Sequence, residues 1–145
     1  MKIERIVVGL DDSPRAPFVL ESALAIAARH GAKLWVVRAA GLTSPLPAEV
    51  LSIRPDDVPS ILQKSERKRL EALVAAAHPS VPVELVVEVG AAADVICGLA
   101  KSVRADVVVV GSHGYRGLDH LLGTTAQRVA NLAPCSVLVV RPPMQ

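Results

Sequence analysis

The 145-residue sequence is poor in aromatic side chains, since Phe18, Trp35 and Tyr115 are its only rings. A flat heterocyclic ligand would therefore have to lie between aliphatic side chains and backbone instead of stacking on an aromatic ring. Hydrophobic residues nevertheless make up 51% of the chain. A chain of this size and composition can bury one sizeable core without disulfides or metals, and it favours parallel strands covered by alanine-rich helices. We expect one domain spanning residues 1–145.

Cysteine and excess charge are also scarce. Cys97 and Cys135 show no CxxC or Cys/His spacing, and we interpret both as small core residues. The formal net charge is only +2, and the basic residues are dispersed, which argues against nucleic acid as the main partner. The densest basic run, Lys64–Arg69, lies in a helical pattern and is interpreted as a solvated face.

The apolar run nearest the N-terminus is short. It has five residues, Ile6–Leu10, which is too few for a signal sequence and far too few to span a bilayer. We therefore expect no membrane association and a reducing, cytoplasmic location.

Strand and helix patterns alternate along the chain. The first helix is expected to have Ser13 as its N-cap and Pro14 as its first helical residue, and to stop at Gly31. Residues 41–59 contain four prolines and are interpreted as a surface excursion. Such alternation predicts an α/β fold with a parallel sheet and helices on both faces. Apolar runs predict strands at residues 6–10, 34–39, 84–89, 107–111 and 135–140. The alternation in the third of these is weaker, which favours a position toward a sheet edge.

One loop combines two elements that favour phosphate binding. The sequence Gly-Ser-His-Gly at Gly111–Gly114 follows the most apolar strand, and Gly123–Thr125 opens a helix. Glycine permits close backbone approach, and a helix N-terminus offers unpaired N–H groups to an anion. The threonine hydroxyls and His113 could add hydrogen bonds to phosphate. Plain turns are the alternative interpretation of these glycines.

Asp11 is the second candidate, because it follows the first strand. Its carboxylate could accept hydrogen bonds from a ribose hydroxyl or help to hold a metal bound to phosphate; alternatively, Asp11 and Asp12 only cap the following helix. A P-loop lysine is missing, since Thr124 follows Gly123. No local Ser/His/Asp context indicates a catalytic triad either, so any nucleotide hydrolysis is expected to be slow.

Three segments together resemble the universal stress protein family: Leu10–Ser13, Val107–Gly114 and Ala133–Val140. The resemblance covers nearly the whole chain and implies a Rossmann-like, doubly wound sheet of five parallel strands with helices on both faces. One subgroup of the family binds ATP through the motif G-x2-G-x9-G-(S/T). Gly111, Gly114 and the Gly123–Thr124 pair match this motif, except that eight residues separate the second and third glycines.

The same resemblance implies roles for residues outside the glycine motif. Asp11 corresponds to an aspartate that contacts the nucleoside, and Gly9 and Leu10 precede it on the adenine side. Ala39 would line the adenine pocket, and Val110 would flank the base. Together with His113 and Thr125, the expected nucleotide site comprises Gly9, Leu10, Asp11, Ala39, Val110, Gly111, His113, Gly114, Gly123, Thr124 and Thr125.

The leading hypothesis is an ATP-binding regulatory protein of the stress response that acts on an unidentified protein partner by population shift. The last strand would lie exposed at a sheet edge, and the family resemblance implies a homodimer through Val137–Arg141. One alternative is a nucleotide-free interaction protein of the same fold that acts through its dimer surface. Another is an ATP-cleaving enzyme of a related α/β group. The sequence leaves open whether the ligand is ATP, AMP or cyclic AMP, and whether Mg²⁺ accompanies it.

Overall fold

The computed structural model describes residues 1–41, 57–112 and 121–143. Strands and helices alternate through these ranges, as the apolar patterns predict, with strand boundaries that differ from the expected ones by one residue at most. In chain order the elements are β1 (Arg5–Gly9), α1 (Ala16–His30), β2 (Lys33–Ala40), α2 (Val58–Ala76), β3 (Val83–Val89), α3 (Ala92–Val103), β4 (Val107–Gly111), α4 (Thr124–Leu132) and β5 (Ser136–Val140).

The five strands form one parallel sheet in the order β3-β2-β1-β4-β5. From β1 the chain winds outward through β2 to β3, and then returns to the other side of β1 to form β4 and β5. This confirms the doubly wound, Rossmann-like sheet. It also confirms the edge positions expected for the third and last strands, whereas Val107–Val110 of β4 are buried.

Successive side chains of the central strands enter two separate hydrophobic layers. Ile6 and Val8 of β1 pack in one layer with residues of α1 and α2, and Val7 packs in the other with residues of α3 and α4. Because neighbouring strand residues point to opposite faces, helices cover the sheet on both sides. The helices therefore bury both faces of the sheet. The carboxyl ends of the strands are followed by the connecting loops.

The start of α1 differs from the prediction. The helix begins at Ala16, with Arg15 as its N-cap, so Pro14 lies in the preceding turn. An Asp11 carboxylate oxygen accepts the Ser13 N–H at 2.9 Å, and the Ser13 hydroxyl accepts the Arg15 N–H at 3.3 Å. These bonds stabilise a turn before the helix, which displaces the helix start by two residues. The predicted stop is confirmed, since Gly31 has a left-handed conformation with φ of 65°.

The interpretation of Lys64–Arg69 as a solvated face is wrong at one position. Glu66 in the middle of this run is 3% exposed and forms an ion pair with Arg38 of β2, which is 6% exposed. A buried charge needs a partner, and β2 supplies it from beneath α2. Residues 42–56, most of the predicted surface excursion, lie outside the described residues.

The two cysteines are free and half-buried, and both pack against the hydrophobic layer of α3 and α4. Burial raises the pKa of the Cys97 and Cys135 thiols, so both remain protonated at neutral pH. Among the helices in the described ranges, none combines the length and apolar character needed to cross a membrane.

Candidate functional site

A cleft lies at the carboxyl ends of β1 and β4, the adjacent strands from which the chain winds in opposite directions. Gly9 and Asp11 line it from β1 and the following turn, and Val110 and Gly111 line it from β4. Open parallel sheets bind ligands at such a switch point because the two following connections diverge to opposite faces of the sheet. The topology therefore places the candidate site where the sequence predicted it.

The inner wall of the cleft is aliphatic. Val37 and Ala39 of β2, Val110 of β4 and Ile96 of α3 contribute to it, and no aromatic side chain does so among the described residues. Gly9 is needed here, because a Cβ atom on it would lie 2.4 Å from Ile96 Cδ1 and 2.9 Å from Cγ1. The glycine thus allows Ile96 to pack directly against the backbone of β1.

The turn between β1 and α1 forms one polar wall. Asp11 lies on it, and its Oδ1 accepts the Ser13 N–H at 2.9 Å. The backbone before the turn is held as well, since the Leu10 N–H donates to the Val37 carbonyl at 3.0 Å. A carboxylate offers about four acceptor positions, so Asp11 can orient the turn and still accept a hydrogen bond from a ligand hydroxyl.

The N-terminus of α4 forms a second polar wall. Gly123 is its N-cap, in an extended conformation with φ of −60°, and no side chain caps the helix. The Gly123 N–H donates to the Ser112 carbonyl at 2.7 Å, and the Ser112 N–H donates to the Val140 carbonyl at 2.9 Å. These bonds fix the helix start relative to β4 and β5. The first N–H groups of α4, at Thr124 and Thr125, have no acceptor within the helix and border the cleft.

Two polar side-chain atoms that line the cleft lack hydrogen-bond partners within the described residues. One is Oγ of Ser112, a residue that is only 1% exposed, and the other is Nη1 of Arg15. Buried polar atoms are nearly always paired, because an unpaired one has lost its water without compensation. Both atoms are therefore free to form a hydrogen bond with a polar group that enters the cleft.

A buried ion pair lies next to the turn between β1 and α1. Arg38 of β2 contacts Glu66 of α2, and its Nη2 lies 3.5 Å from Oδ2 of Asp12, the residue next to Asp11. Arg69 Nη1 lies 3.7 Å from the second carboxylate oxygen of Glu66. The charges therefore alternate from the turn through β2 to α2. They connect the position of the Asp11 turn to the packing of α2.

Most of the predicted site residues meet at this cleft, although their role in binding stays a prediction. His113 and Gly114 lie outside the described residues, and so do the eight residues between Gly114 and Gly123 except Leu121 and Leu122. The nine predicted residues that line the cleft are Gly9, Leu10, Asp11, Ala39, Val110, Gly111, Gly123, Thr124 and Thr125.

The sequence interpretation missed several lining residues. Val37 lies in the predicted strand 34–39 and Ile96 on one face of a helical pattern, and both patterns indicate only core packing. Ser112 was seen only as part of the glycine loop. Arg15 was missed because Pro14 was placed at the helix start, and the turn that aims this arginine at the cleft depends on hydrogen bonds that a sequence pattern does not show.

The fold and the cleft define an open α/β protein with a polar and aliphatic cleft at the switch point of a five-stranded parallel sheet. The model of the universal stress protein family matches residues 2–141. The chain is also 33% identical over 142 residues to universal stress protein A homolog 1 of Coxiella burnetii, an alignment covering 97% of each chain. The chain belongs to the universal stress protein family.

Two solved structures illustrate the likeness. A universal stress protein in complex with cAMP is 28% identical and superposes with a TM-score of 0.69, over 97% of this chain and 98% of that one. A universal stress protein from Archaeoglobus fulgidus in complex with dAMP is 23% identical, with a TM-score of 0.60 over 96% and 98% of the two chains. At the latter identity the likeness shows the fold alone; each of these two proteins was solved with an adenine nucleotide bound.

Proposed function

We propose that this universal stress protein binds an adenine nucleotide, ATP, in the cleft between β1 and β4 and acts as a nucleotide-dependent regulatory protein of the stress response in the cytoplasm. The observation that supports this most strongly is the arrangement of the cleft walls. The Asp11 carboxylate, the N-terminus of α4 and an aliphatic surface line the same cleft. These three chemistries correspond to the ribose hydroxyls, the phosphates and the base of a nucleotide.

The residues present fit such a ligand. Asp11 would accept a hydrogen bond from a ribose hydroxyl, and the N–H groups at Thr124 and Thr125 would donate to phosphate oxygens. Ser112 is only 1% exposed, and its unpartnered Oγ supplies a further hydrogen-bonding group. The base would lie between Ala39 and the other aliphatic side chains, as expected for a chain with three aromatic residues. The cAMP complex of a 28% identical relative supports this class of ligand.

Magnesium would enter with the phosphates. Within the described ranges no group of three or more His, Cys, Asp or Glu side chains is placed to hold a metal ion, and Asp11 contributes a single carboxylate to the cleft. Mg²⁺ usually binds through one or two carboxylates together with substrate phosphates and water. Asp11 is therefore the residue that would contact a phosphate-bound Mg²⁺.

We infer that the nucleotide acts by shifting populations, with hydrolysis at most slow. The cleft offers groups that bind and orient a nucleotide, and among its described residues Asp11 is the only carboxylate. That carboxylate already accepts the Ser13 N–H, which suits an orienting role better than proton abstraction. A ligand bound more tightly by one conformation increases the population of that conformation. A protein partner, not yet identified, would then distinguish the two states.

The last strand provides the surface for the proposed homodimer. β5 pairs only with β4 within the described sheet, so its outer edge presents unpaired backbone groups. Leu138 in the middle of this strand is 40% exposed. An apolar edge strand of this kind is a ready template for pairing with another strand. We propose that two copies meet through Val137–Arg141.

Isothermal titration of nucleotide-stripped protein with ATP and Mg²⁺, beside AMP and cAMP, tests the nucleotide proposal. Gly123→Val places a branched side chain at the start of α4, in a backbone conformation that valine adopts without strain. The matched control is Gly98→Val, since Gly98 lies on the exposed face of α3 with open space around the position of a Cβ atom. We expect saturable ATP binding that Gly123→Val abolishes and Gly98→Val retains.

Each result has a separate meaning. If AMP or cAMP binds and ATP does not, the cleft is a nucleotide site of different specificity. If no nucleotide binds at millimolar concentration and the melting temperature does not change, the nucleotide proposal fails. The exposed β5 edge then favours the second candidate function, an interaction protein that acts through its dimer surface without nucleotide.

A further inference from the structure

Arg15 is the only basic residue among the described residues that line the cleft. In the described parts of the chain its buried Nη1 atom has no hydrogen-bond partner, and its guanidinium forms no ion pair with a carboxylate. Placing an unpartnered guanidinium nitrogen in a shielded position is unfavourable in the free protein. An anionic oxygen supplied by a ligand would remove this penalty.

The backbone of Arg15 is held firmly, so its side chain starts from a fixed point. Its N–H donates to the Ser13 hydroxyl at 3.3 Å, and its carbonyl accepts the Val19 N–H at 3.1 Å. Pro14 and Pro17 on either side restrict the chain further. Because the backbone of Arg15 is already ordered, the protein loses less conformational entropy when its guanidinium binds a ligand.

A second wall of the cleft has the same preference for negative charge. The N-terminus of α4 presents free N–H groups and a partial positive charge to the cleft. Ser112, which is 1% exposed, adds a hydroxyl without a partner in the described residues. The Arg15 guanidinium, just before α1, and the N-terminus of α4 therefore belong to the lining of one cleft. A group that satisfies both has several anionic oxygens, as a chain of phosphates does.

We propose that Arg15 recognises the charge of the ligand by donating a hydrogen bond from its guanidinium to a phosphate oxygen. The site then selects nucleotides with free phosphate groups over the uncharged nucleoside. This inference rests on the proposed function, since it requires an adenine nucleotide in the cleft. Arg15 is a binding residue in this scheme, and no bond of the ligand is broken.

The test compares ATP with adenosine on the full-length protein by isothermal titration. Arg15→Gln keeps the length and hydrogen-bonding ability of the side chain but removes its charge. A hydrogen bond to a charged group contributes enough that its loss should weaken ATP binding by about 10- to 100-fold, while the affinity for adenosine stays unchanged. The control is Arg29→Gln, which makes the same charge change at the exposed far end of α1 and should leave ATP binding unaltered.

Thermal unfolding of the ligand-free variants separates recognition from a structural role. Because Arg15 Nη1 has no hydrogen-bond partner among the described residues, Arg15→Gln should melt no lower than the wild type. A lower melting temperature together with equal losses of ATP and adenosine affinity would overturn the inference. An unchanged ratio of ATP to adenosine affinity in Arg15→Gln would also overturn it, and the nucleotide site would stand. Failure of the wild type to bind either compound would instead refute the nucleotide site and, with it, the role of Arg15.

Discussion

Replacing Glu66 by glutamine should destabilise the fold strongly, because it leaves the buried Arg38 guanidinium without its main counter-charge. The two side chains are 3% and 7% exposed. Breaking a buried pair by removing one partner costs about 3–5 kcal/mol. Asp12 Oδ2 remains 3.5 Å from Arg38 Nη2, so we expect the lower end of this range, about 3 kcal/mol.

Urea unfolding followed by circular dichroism measures this effect. With a denaturant dependence of about 2 kcal/mol per molar urea, the midpoint should fall by about 1.5 M. The matched control is Glu71→Gln on the same helix, whose partner Arg67 is 3.2 Å away but where both side chains are more than half exposed. That pair should contribute less than about 1 kcal/mol.

A double variant tests the reason for the loss. Arg38→Met with Glu66→Leu replaces the pair by apolar side chains and should recover most of the stability, because neither charge is then left alone. If Glu66→Gln moves the midpoint no further than Glu71→Gln, the buried pair contributes no more than a surface pair, and the reasoning from its burial is refuted.

Three further changes probe the sheet. Gly9→Ala should lower the free energy of unfolding by about 1–3 kcal/mol. The loss should be smaller in an Ile96→Val background, which removes the contacted Cδ1 atom. Equal losses in the two backgrounds would contradict the close packing. Hydrogen bonds from the Glu4 and Arg5 N–H groups lower the pKa of Asp106 below its usual 3.8, so its contribution to stability is present above pH 3.8 and is lost as pH falls through the lower folded value. The melting-temperature difference between wild type and Asp106→Asn should therefore shrink in acid, and a constant difference would oppose this. Leu138→Lys should convert the proposed dimer to monomer in sedimentation velocity, whereas a persistent dimer would place the interface elsewhere.

The sheet could be predicted because each strand is a local apolar run. The predicted strand 107–111 is identical to β4, and the alternation of strands and helices leaves few topologies open. The weak alternation of β3 also indicated its position at the sheet edge. What could not be predicted depends on contacts between distant residues. Glu66 looked like one charge in a solvated run, and only the packing of α2 over β2 pairs it with Arg38.

The residues of the cleft were likewise predicted where a local pattern marks them and not where distant contacts decide. Residues that follow strands, such as Asp11 and Gly111, were found because parallel strands end at one side of the sheet. The start of α1 was misplaced because capping chemistry alone does not distinguish a helix N-cap from a turn held by Asp11 and Ser13. With the helix start placed two residues too early, Arg15 counts as a residue inside the helix, and the sequence pattern does not indicate that it lines the cleft. Ile96 was hidden by its helical spacing, which describes core packing and a cleft wall equally well.

The most direct test of the nucleotide site is an amide chemical-shift map recorded while ATP and Mg²⁺ are titrated into ¹⁵N-labelled protein. The largest changes should occur at Gly9, Asp11, Thr124 and Thr125, which border the cleft, whereas Val83–Val89 of the outer strand β3 should be nearly unaffected. Saturable changes in this pattern would support nucleotide binding at the switch point. Changes centred on another surface, or none at millimolar ATP, would contradict it.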